Sequence, residues 1–126
     1  MLRTTVNRAA ANTEMESTGT DAGRQAEAAP LRLEFAGEWI DVPPDSAFII
    51  GREGDLEIDD NPYLHRHFLE LQYRDGFWWL ANVGVLLAAT ISSAGGAVQS
   101  WLSPGARMPL VFERSVIVFT AGPVTY

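Results

Sequence analysis

Residues 68–82 read FLELQYRDGFWWLAN, two runs rich in aromatic and branched side chains on either side of an Asp-Gly pair. Apolar and polar residues alternate along residues 68–73, which is typical of a strand with one buried face. An Asp-Gly pair between two such runs is the strongest short-range signal for a β-hairpin, because both residues tolerate the positive φ angles of a tight turn. Trp78 and Trp79 are adjacent and point to opposite faces of a strand, so at least one belongs to the core. The stretch predicts antiparallel β-structure.

The chain from residue 30 onward repeats this pattern. Short extended runs alternate with turns that contain Gly, Pro, Asp or Asn, roughly every 8–12 residues, and no segment has the 3.6-residue periodicity of an amphipathic helix. The predicted strands are residues 31–35, 38–42, 47–50, 56–58, 68–73, 77–83, 86–91, 97–102, 108–112 and 116–121. We predict an all-β fold, a two-sheet β-sandwich of about ten or eleven short strands over residues 30–126.

The first 29 residues differ from the rest of the chain in composition. They contain no aromatic residue and consist mostly of Ala, Thr, Glu, Arg, Asn and Gly. Such a stretch cannot bury enough apolar surface to offset the entropy lost on ordering. We therefore predict a disordered N-terminal tail over residues 1–29 and a single domain over residues 30–126, since a chain of 126 residues has room for one hydrophobic core.

The composition excludes several classes of partner and compartment. The formal net charge is −7 and all nine basic residues are Arg, which leaves no basic footprint for nucleic acid or for an anionic membrane surface. Cysteine is absent, so disulfides, thiolate nucleophiles and cysteine metal sites are excluded. The sequence has neither a secretory signal nor an apolar run long enough to span a membrane, and we expect a cytoplasmic protein.

Catalytic motifs are missing. A nucleophilic triad needs a base beside its nucleophile, and the chain has only two histidines, His65 and His67. A His-x-His pair can ligate a metal together with acids such as Asp59 and Asp60, but a site needs three or four ligands and nothing else completes this set. We therefore expect no enzymatic activity and no cofactor. A metal- or sugar-binding β-sandwich stays open as the alternative from a different functional class.

The most informative pattern is in residues 49–71, IIGREGDLEIDDNPYLHRHFLEL. A buried run ends in Gly51 and Arg52, and a short acidic strand follows. An Asx-Pro turn that begins at Asn61 then leads to Arg66, just before the next apolar strand. The pattern places two arginines beside neighbouring inter-strand connections.

This arrangement resembles the forkhead-associated (FHA) domain family. The family fold is an eleven-strand sandwich whose loops at one end bind phosphothreonine peptides. Position by position, Gly51 and Arg52 match the family's Gly-Arg, in which the Arg reaches the phosphate, and Arg66 matches a second Arg beside the binding loop. The resemblance covers about residues 31–122 and is specific mainly over residues 49–83.

The alignment around the second arginine implies further roles. Setting residues 69–71 on the family's small-Glu-apolar triplet puts His65 at the phosphate-contacting Ser and Phe68 at the loop-bracing His. A shift by one residue would instead put His67 on that His, and it would disrupt the inward–outward pattern of residues 68–71. The resemblance implies three phosphopeptide-binding residues: Arg52, Arg66 and His65. It implies four loop-structural residues: Gly51, Asn61, Asn82 and Gly84.

The loop after the predicted strand 77–83 departs from the family pattern. Where the family has Asp-apolar-Gly-Ser-x-Asn-Gly-Thr, this chain has NVGVLLAAT at residues 82–90. The peptide-clamping Asn is replaced by Leu87, the loop Ser by Val85, and the late Gly-Asp turn by residues 113–114. The fold tolerates these changes, but the family's usual phosphopeptide clamp is lost.

The sequence leads to two hypotheses for function. The first is a protein–protein interaction module with degenerate phosphothreonine-peptide loops and a protein or phosphoprotein partner, because two Arg forks match the charge and acceptor oxygens of a phosphate. The second is a scaffold domain that binds an unmodified protein through residues 85–89, provided that this run is exposed and is not a buried strand. Within the first hypothesis, Arg52 and Arg66 either bind the anion or pair with nearby acids and fix the loops. These acids are Glu53, Asp55, Asp59 and Asp60.

Overall fold

The structure, a computed structural model, describes residues 1–7 and 29–126. Within these ranges the chain forms β-strands and no helix, and hence no helix that could cross a membrane. The strands are β1 (Leu2–Val6), β2 (Leu31–Phe35), β3 (Glu38–Val42), β4 (Phe48–Gly51), β5 (Leu56–Glu57), β6 (Leu69–Arg74), β7 (Phe77–Asn82), β8 (Ala89–Ser93), β9 (Gln99–Leu102), β10 (Arg107–Pro109), β11 (Arg114–Val118), β12 (Thr120–Ala121) and β13 (Val124–Thr125). A six-stranded sheet has the order β3-β2-β1-β11-β8-β9, a five-stranded sheet has the order β10-β7-β6-β4-β5, and β12 pairs with β13. The prediction of an all-β, two-sheet sandwich is confirmed.

Two tight hairpins form where the turn residues predict them. Asp75 and Gly76 join β6 to β7 with φ angles of 54° and 85°, and Ala36 and Gly37 join β2 to β3 with 54° and 82°. Positive φ at both central residues is the geometry of a type I′ turn, whose twist matches that of the flanking strands. The aromatic-rich run of residues 68–82 is therefore the antiparallel pair that its sequence indicates.

The inner faces of the two sheets enclose one hydrophobic core. Inward residues lie in rows across the strands: Phe48 is the register partner of Leu71, and Leu71 that of Leu80. Full burial of such a side chain stabilises the fold by about 1.5–3 kcal/mol. Trp78 is buried and donates its indole N–H to the carbonyl oxygen of Ala29 at 2.7 Å. Its neighbour Trp79 is half-buried on the other face, as the alternation of a strand requires.

The prediction of a disordered tail over residues 1–29 is wrong for its first part. Residues 2–6 form β1, which lies between β2 and β11 in the middle of the larger sheet. Its three inward side chains are at most 1% exposed. Leu, Thr and Val on one face suit a buried strand. The prediction was wrong because it was based on the average composition of residues 1–29, in which a run of five residues carries little weight. Residues 8–28 of the predicted tail lie outside the described residues.

Several of the connections between strands lie at the same end of the sandwich. The end of β4, the start of β6, the end of β7 and the start of β8 lie together, because adjacent antiparallel strands alternate in direction. Residues 51–68 and 83–88 belong to this end, which we call the arginine end. The connection between β1 and β2 lies at the opposite end, beside the start of β11. Every predicted site residue therefore lies at the same end of the fold.

Candidate functional site

Arg52 and Arg66 belong to two segments that are hydrogen-bonded to each other. The backbone N–H of Arg52 donates to the carbonyl oxygen of His65, and that of Glu53 donates to the carbonyl oxygen of Arg66, both at 2.9 Å. Both arginines line the same two depressions on the surface. The structure thus brings together the two guanidinium groups that the sequence singled out.

The close approach of these segments depends on Gly51. A Cβ atom on Gly51 would lie 2.3 Å from the carbonyl oxygen of Arg66 and 2.8 Å from that of His65. Both distances are shorter than real Cβ contacts, so only glycine lets the second segment pass this close to the end of β4. Gly51 therefore sets the spacing between the two arginine-bearing segments.

Neither arginine is held tightly by a carboxylate. Nε of Arg66 lies 3.8 Å from Oε1 of Glu53, and the two side chains are 70% and 57% exposed, so the contact is long and screened by water. Among the residues that the structure describes, no carboxylate lies within ion-pair distance of Arg52. The guanidinium donors at this end are therefore open to an external anion.

Two of the four nearby acids are engaged by the loops themselves. Oδ2 of Asp55 accepts the backbone N–H of Ile49 at 2.8 Å, which closes the turn after β4. Oδ2 of Asp59 accepts the phenolic O–H of Tyr126 at 2.6 Å. These carboxylates fix loop geometry and do not neutralise the arginines. Only the long contact between Glu53 and Arg66 supports the interpretation that acids neutralise the arginines.

Arg52 and Arg66 line two depressions, one of which contains acidic side chains while the other contains none. The first, of about 470 Å³, is lined by charged residues alone, and we call it the acidic depression. Its lining residues are Arg52, Glu53, Glu57, Asp59, Asp60 and Arg66. The second, of about 650 Å³, contains the same two arginines and no acid, and it includes Tyr63, Val85 and Leu86. We call it the apolar depression. An anion held by both arginines avoids carboxylates only on this second side.

The wall of the apolar depression is a loop where the sequence predicted a strand. The predicted strand 86–91 begins only at Ala89, and residues 83–88 form the connection from β7. Val85 and Leu86 are 86% and 76% exposed, so this part of the run is a surface patch. Leu87 packs against the core. Exposed apolar side chains beside a recessed polar site are typical of surfaces that meet a partner.

Asn82 anchors the base of this loop. Its side-chain amide is 1% exposed, its Nδ2 donates to the carbonyl oxygens of Leu87 at 2.8 Å and Leu102 at 3.1 Å, and its Oδ1 accepts the N–H of Gly84 at 3.0 Å. One side chain therefore satisfies three backbone groups on two connections. Gly84 is also required by packing, because a Cβ there would lie 2.6 Å from Cδ2 of the His65 ring.

His65 is used differently from its predicted role as a phosphate contact. Its Nε2 accepts the backbone N–H groups of Leu86 at 3.2 Å and Leu87 at 3.1 Å. An acceptor nitrogen carries no proton, so only Nδ1 is left as a possible donor to an anion. His65 thus braces the 83–88 loop, the role that the alignment had given to Phe68. Phe68 is instead fully buried, with its ring 4.9 Å from that of Phe119.

Asn61 and Tyr126 hold the other side of the arginine end. Oδ1 of Asn61 accepts the N–H of Tyr63 at 2.9 Å, and its Nδ2 donates to the carbonyl oxygen of Ala121 at 2.9 Å and to Oη of Tyr126 at 3.1 Å. The hydrogen bond from Tyr126 to Asp59, assisted by burial, raises the pKa of the phenol above its ordinary value. Tyr126 could not be predicted from the sequence, because an isolated tyrosine at position 126 carries no motif that links it to residues 59–61.

A larger depression of about 770 Å³ lies away from this end, across β1, β2, β3 and β11. Two of the three arginines that line it, Arg3 and Arg32, are paired with carboxylates. Nη1 of Arg3 lies 3.0 Å from Glu34, while Arg32 lies 3.3 Å from Asp41 and its guanidinium stacks over Trp39 at 5.2 Å. Of the three, only Arg114 has no carboxylate within ion-pair distance among the described residues, whereas the arginine end presents two loosely held guanidinium groups.

The alternative of a metal site finds no support in residues 1–7 and 29–126. No group of three or more His, Asp or Glu side chains in these ranges is arranged to hold a metal ion. Nε2 of His65 is also already hydrogen-bonded to two amides, so it is not open to a metal.

No family model, curated protein or solved structure matches this chain. A proposal for its function therefore depends on the geometry of the arginine end.

Proposed function

We propose that this chain is an interaction module similar to an FHA domain, and that it binds a phosphorylated segment of a partner protein at the arginine end. The observation that carries the proposal is the shared position of Arg52 and Arg66. They lie on hydrogen-bonded segments, line the same acid-free depression and lack a close carboxylate partner among the described residues. A phosphate monoester carries nearly two negative charges and three acceptor oxygens, which two guanidinium forks can bind together.

The two depressions suggest which side chains flank the phosphate in the partner. On the apolar side, Tyr63, Val85 and Leu86 offer exposed surface to an aliphatic or aromatic side chain. On the acidic side, Glu57 and Asp60 attract a Lys or Arg of the partner and repel a second phosphate. The preferred ligand is therefore a phosphorylated residue with a basic side chain on one side and an apolar side chain on the other.

The mode of peptide binding differs from the FHA family pattern at the 83–88 loop. Val85 and Leu87 occupy the positions of a polar loop residue and of the peptide-clamping Asn. Contact with this loop therefore adds apolar burial and no side-chain hydrogen bond from these two positions. Phosphate recognition rests on the arginines, and the loop contributes contact area.

The test is a calorimetric titration of the 126-residue chain with paired peptides that differ only in phosphorylation of one Thr. We expect the phosphorylated peptide alone to bind measurably, and Arg52→Ala and Arg66→Ala each to weaken binding about tenfold or more, because each removes charge-assisted hydrogen bonds. Arg74→Ala, at the far end of β6, is the matched control and should bind as the unaltered chain does. Equal binding of the two peptides would refute recognition of the phosphate.

A second candidate function is favoured by the exposure of Val85 and Leu86, 86% and 76%. In this case the chain is a scaffold domain that binds an unmodified protein segment through these side chains. Binding of the unphosphorylated peptide would then be lost in Leu86→Ser and unaffected by Arg52→Ala or by salt. The same titration thus separates the two functions.

A further inference from the structure

The strand β1 fills a slot in the middle of the larger sheet. It pairs antiparallel with β11 along residues 2–5 and with β2 along residues 3–6. Leu2, Thr4 and Val6 point into the core and are at most 1% exposed. Without β1 the sheet would have two unpaired strand edges above an uncovered part of the core, a template for another strand. The slot is complementary to the sequence of β1.

The connection between β1 and β2 is much longer than its geometry needs. Val6 and Leu31 are register partners, and the N–H of Asn7 donates to the carbonyl oxygen of Pro30 at 2.9 Å, so the two ends of the connection touch. A loop of two to five residues suffices to join adjacent antiparallel strands. The connection over residues 7–30 could reach about 80 Å if it were fully extended. It is therefore long enough for β1 to enter the slot of another molecule.

We propose that β1 exchanges between two copies of this chain, so that each copy fills the slot of the other in a strand-exchanged dimer. The strand and the slot are the same in both forms, and every contact made by β1 in the monomer is made again across the dimer. Concentration then decides between the two forms, because exchange adds no requirement for a new complementary surface. The monomer is favoured in dilute solution and the dimer in concentrated solution.

The exchanged dimer leaves the arginine ends open. The connection to β2 leaves β1 at the end where Val6 meets residue 113, whereas residues 83–88 precede the start of β8 at the other end of the sheet. Each dimer therefore has two complete arginine ends, both remote from the exchanged connections. Strand exchange does not depend on the proposed function, and the two are tested by different experiments.

A disulfide trap tests the exchange directly, because the chain has no cysteine of its own. Arg3 on β1 is the register partner of Val116 on β11, and Val116 is in turn the partner of Ser92 on β8. Partners in antiparallel strands have Cα atoms about 4.5–5.5 Å apart, within the range of a disulfide. The variants Arg3→Cys and Val116→Cys are mixed, unfolded, refolded together and oxidised, and the crosslinked heterodimer is measured by mass spectrometry.

The matched control replaces Arg3→Cys by Ser92→Cys, so that the same Val116→Cys now faces a cysteine on a strand that does not exchange. With refolding near 1 mM, the order of local concentration that a tether supplies, we expect about tenfold more heterodimer from the β1 pair than from the β8 pair. The excess should disappear on refolding near 1 µM. Equal yields from the two pairs at the higher concentration would overturn the proposal.

The chain without substitutions provides a second measurement, which does not depend on how the cysteine variants fold. Refolded near 1 mM and then diluted, it should sediment partly as a dimer that converts to monomer only slowly, because β1 must leave its slot before it can return. A chain that is wholly monomeric after concentrated refolding would contradict exchange of β1.

Discussion

The two loops that meet at the arginine end differ in the hydrogen bonds that hold them in place. The parts of residues 51–68 that carry the two arginines are joined by backbone hydrogen bonds, from Arg52 N–H to His65 and from Glu53 N–H to Arg66, both at 2.9 Å, while the side chains of Asn61 and Asp59 hold the part beside Tyr126. The segment of residues 83–88 is fixed mainly through two side chains, His65 and Asn82. The first carries the charged groups and the second carries exposed apolar ones.

The two loops therefore have different tasks in the site. Guanidinium groups recognise a phosphate well only when their spacing is set in advance, and backbone hydrogen bonds provide that rigidity. Apolar contact tolerates adjustment, so a loop held by two side chains is sufficient for it. It follows that side-chain substitutions should release the second loop while the first stays in place.

The largest expected effect is that of Asn82→Ala. The substitution leaves three backbone groups of the 83–88 and 102–106 connections without their partner, and we expect the free energy of unfolding to fall by about 3 kcal/mol. Chemical denaturation measures the change. Asn82→Asp is the informative comparison, because it keeps the Oδ1 acceptor for Gly84 but turns a buried carboxylate oxygen toward the carbonyl oxygens of Leu87 and Leu102, so it should cost at least as much as Asn82→Ala. If Asn82→Ala costs less than about 1 kcal/mol, the loop does not depend on this side chain.

Tyr126→Phe tests whether the first loop also depends on a side chain. It removes the hydrogen bond to the carboxylate of Asp59, and we expect a loss of about 2 kcal/mol. Tyr73→Phe is the matched control, because Tyr73 packs its ring against Trp78 and has no hydrogen bond of its hydroxyl among those described. A cost for Tyr126→Phe that exceeds that of Asn82→Ala would break the contrast between the two loops.

The same tyrosine predicts how stability changes at alkaline pH. Its pKa is raised in the folded state, chiefly by the hydrogen bond to Asp59, so folding favours the neutral phenol. The contribution is complete below about pH 10, the ordinary value for tyrosine, and is lost as the pH rises through the folded-state pKa. We expect part of the fall in unfolding free energy above pH 10 to be absent in Tyr126→Phe. Identical alkaline profiles for the two proteins would contradict this role of the phenol.

His65→Ala should have a smaller effect, confined to the second loop. It removes one acceptor shared by two partly exposed amides, and we expect a loss of about 1 kcal/mol together with faster hydrogen exchange at Leu86 and Leu87. The backbone amides of Arg52 and Glu53 should keep their protection, because their bonds to residues 65 and 66 do not involve the imidazole. His67→Ala, on an exposed side chain, is the control. Faster exchange at Arg52 as well would show that the two loops are not independent.

The architecture and the proximity of the two arginines could be predicted from the sequence, because both depend on patterns within short stretches of the chain. Asp75-Gly76 and the alternation beside it determine a hairpin over short distances, and Gly51-Arg52 with Arg66 is a pattern of neighbouring connections. β1 could not be recognised in the same way, because its partners are more than twenty residues away in the sequence and its five residues lie in a polar stretch.

Contacts between distant side chains limited the prediction of the site. The bond from Tyr126 to Asp59 joins positions 67 residues apart, and the bonds from Leu86 and Leu87 to His65 span about twenty. Periodicity and turn residues indicate contacts between neighbours in the chain, and they do not indicate contacts between residues this far apart in sequence. The loop-bracing hydrogen bonds of His65 were therefore not predicted, although the residue had been singled out.

The smallest expected effect is that of Leu86→Ser on stability. Leu86 is 76% exposed, so the unfolding free energy should change by less than about 0.5 kcal/mol. The same substitution should weaken binding of a peptide with an apolar residue beside the phosphorylated one, and should leave unaffected a peptide with Gly at that position. A large loss of stability would show that the loop is part of the core and is not a binding surface.

Phosphate recognition by the two arginines is tested by following the Nε–H groups of Arg52 and Arg66 by NMR while a phosphothreonine peptide is added. We expect both signals to shift together and to saturate at one peptide per chain, with the Arg74 signal unchanged and no shift on adding the unphosphorylated peptide. Signals from Arg52 and Arg66 that stay in place while the phosphopeptide binds would contradict recognition by these two arginines.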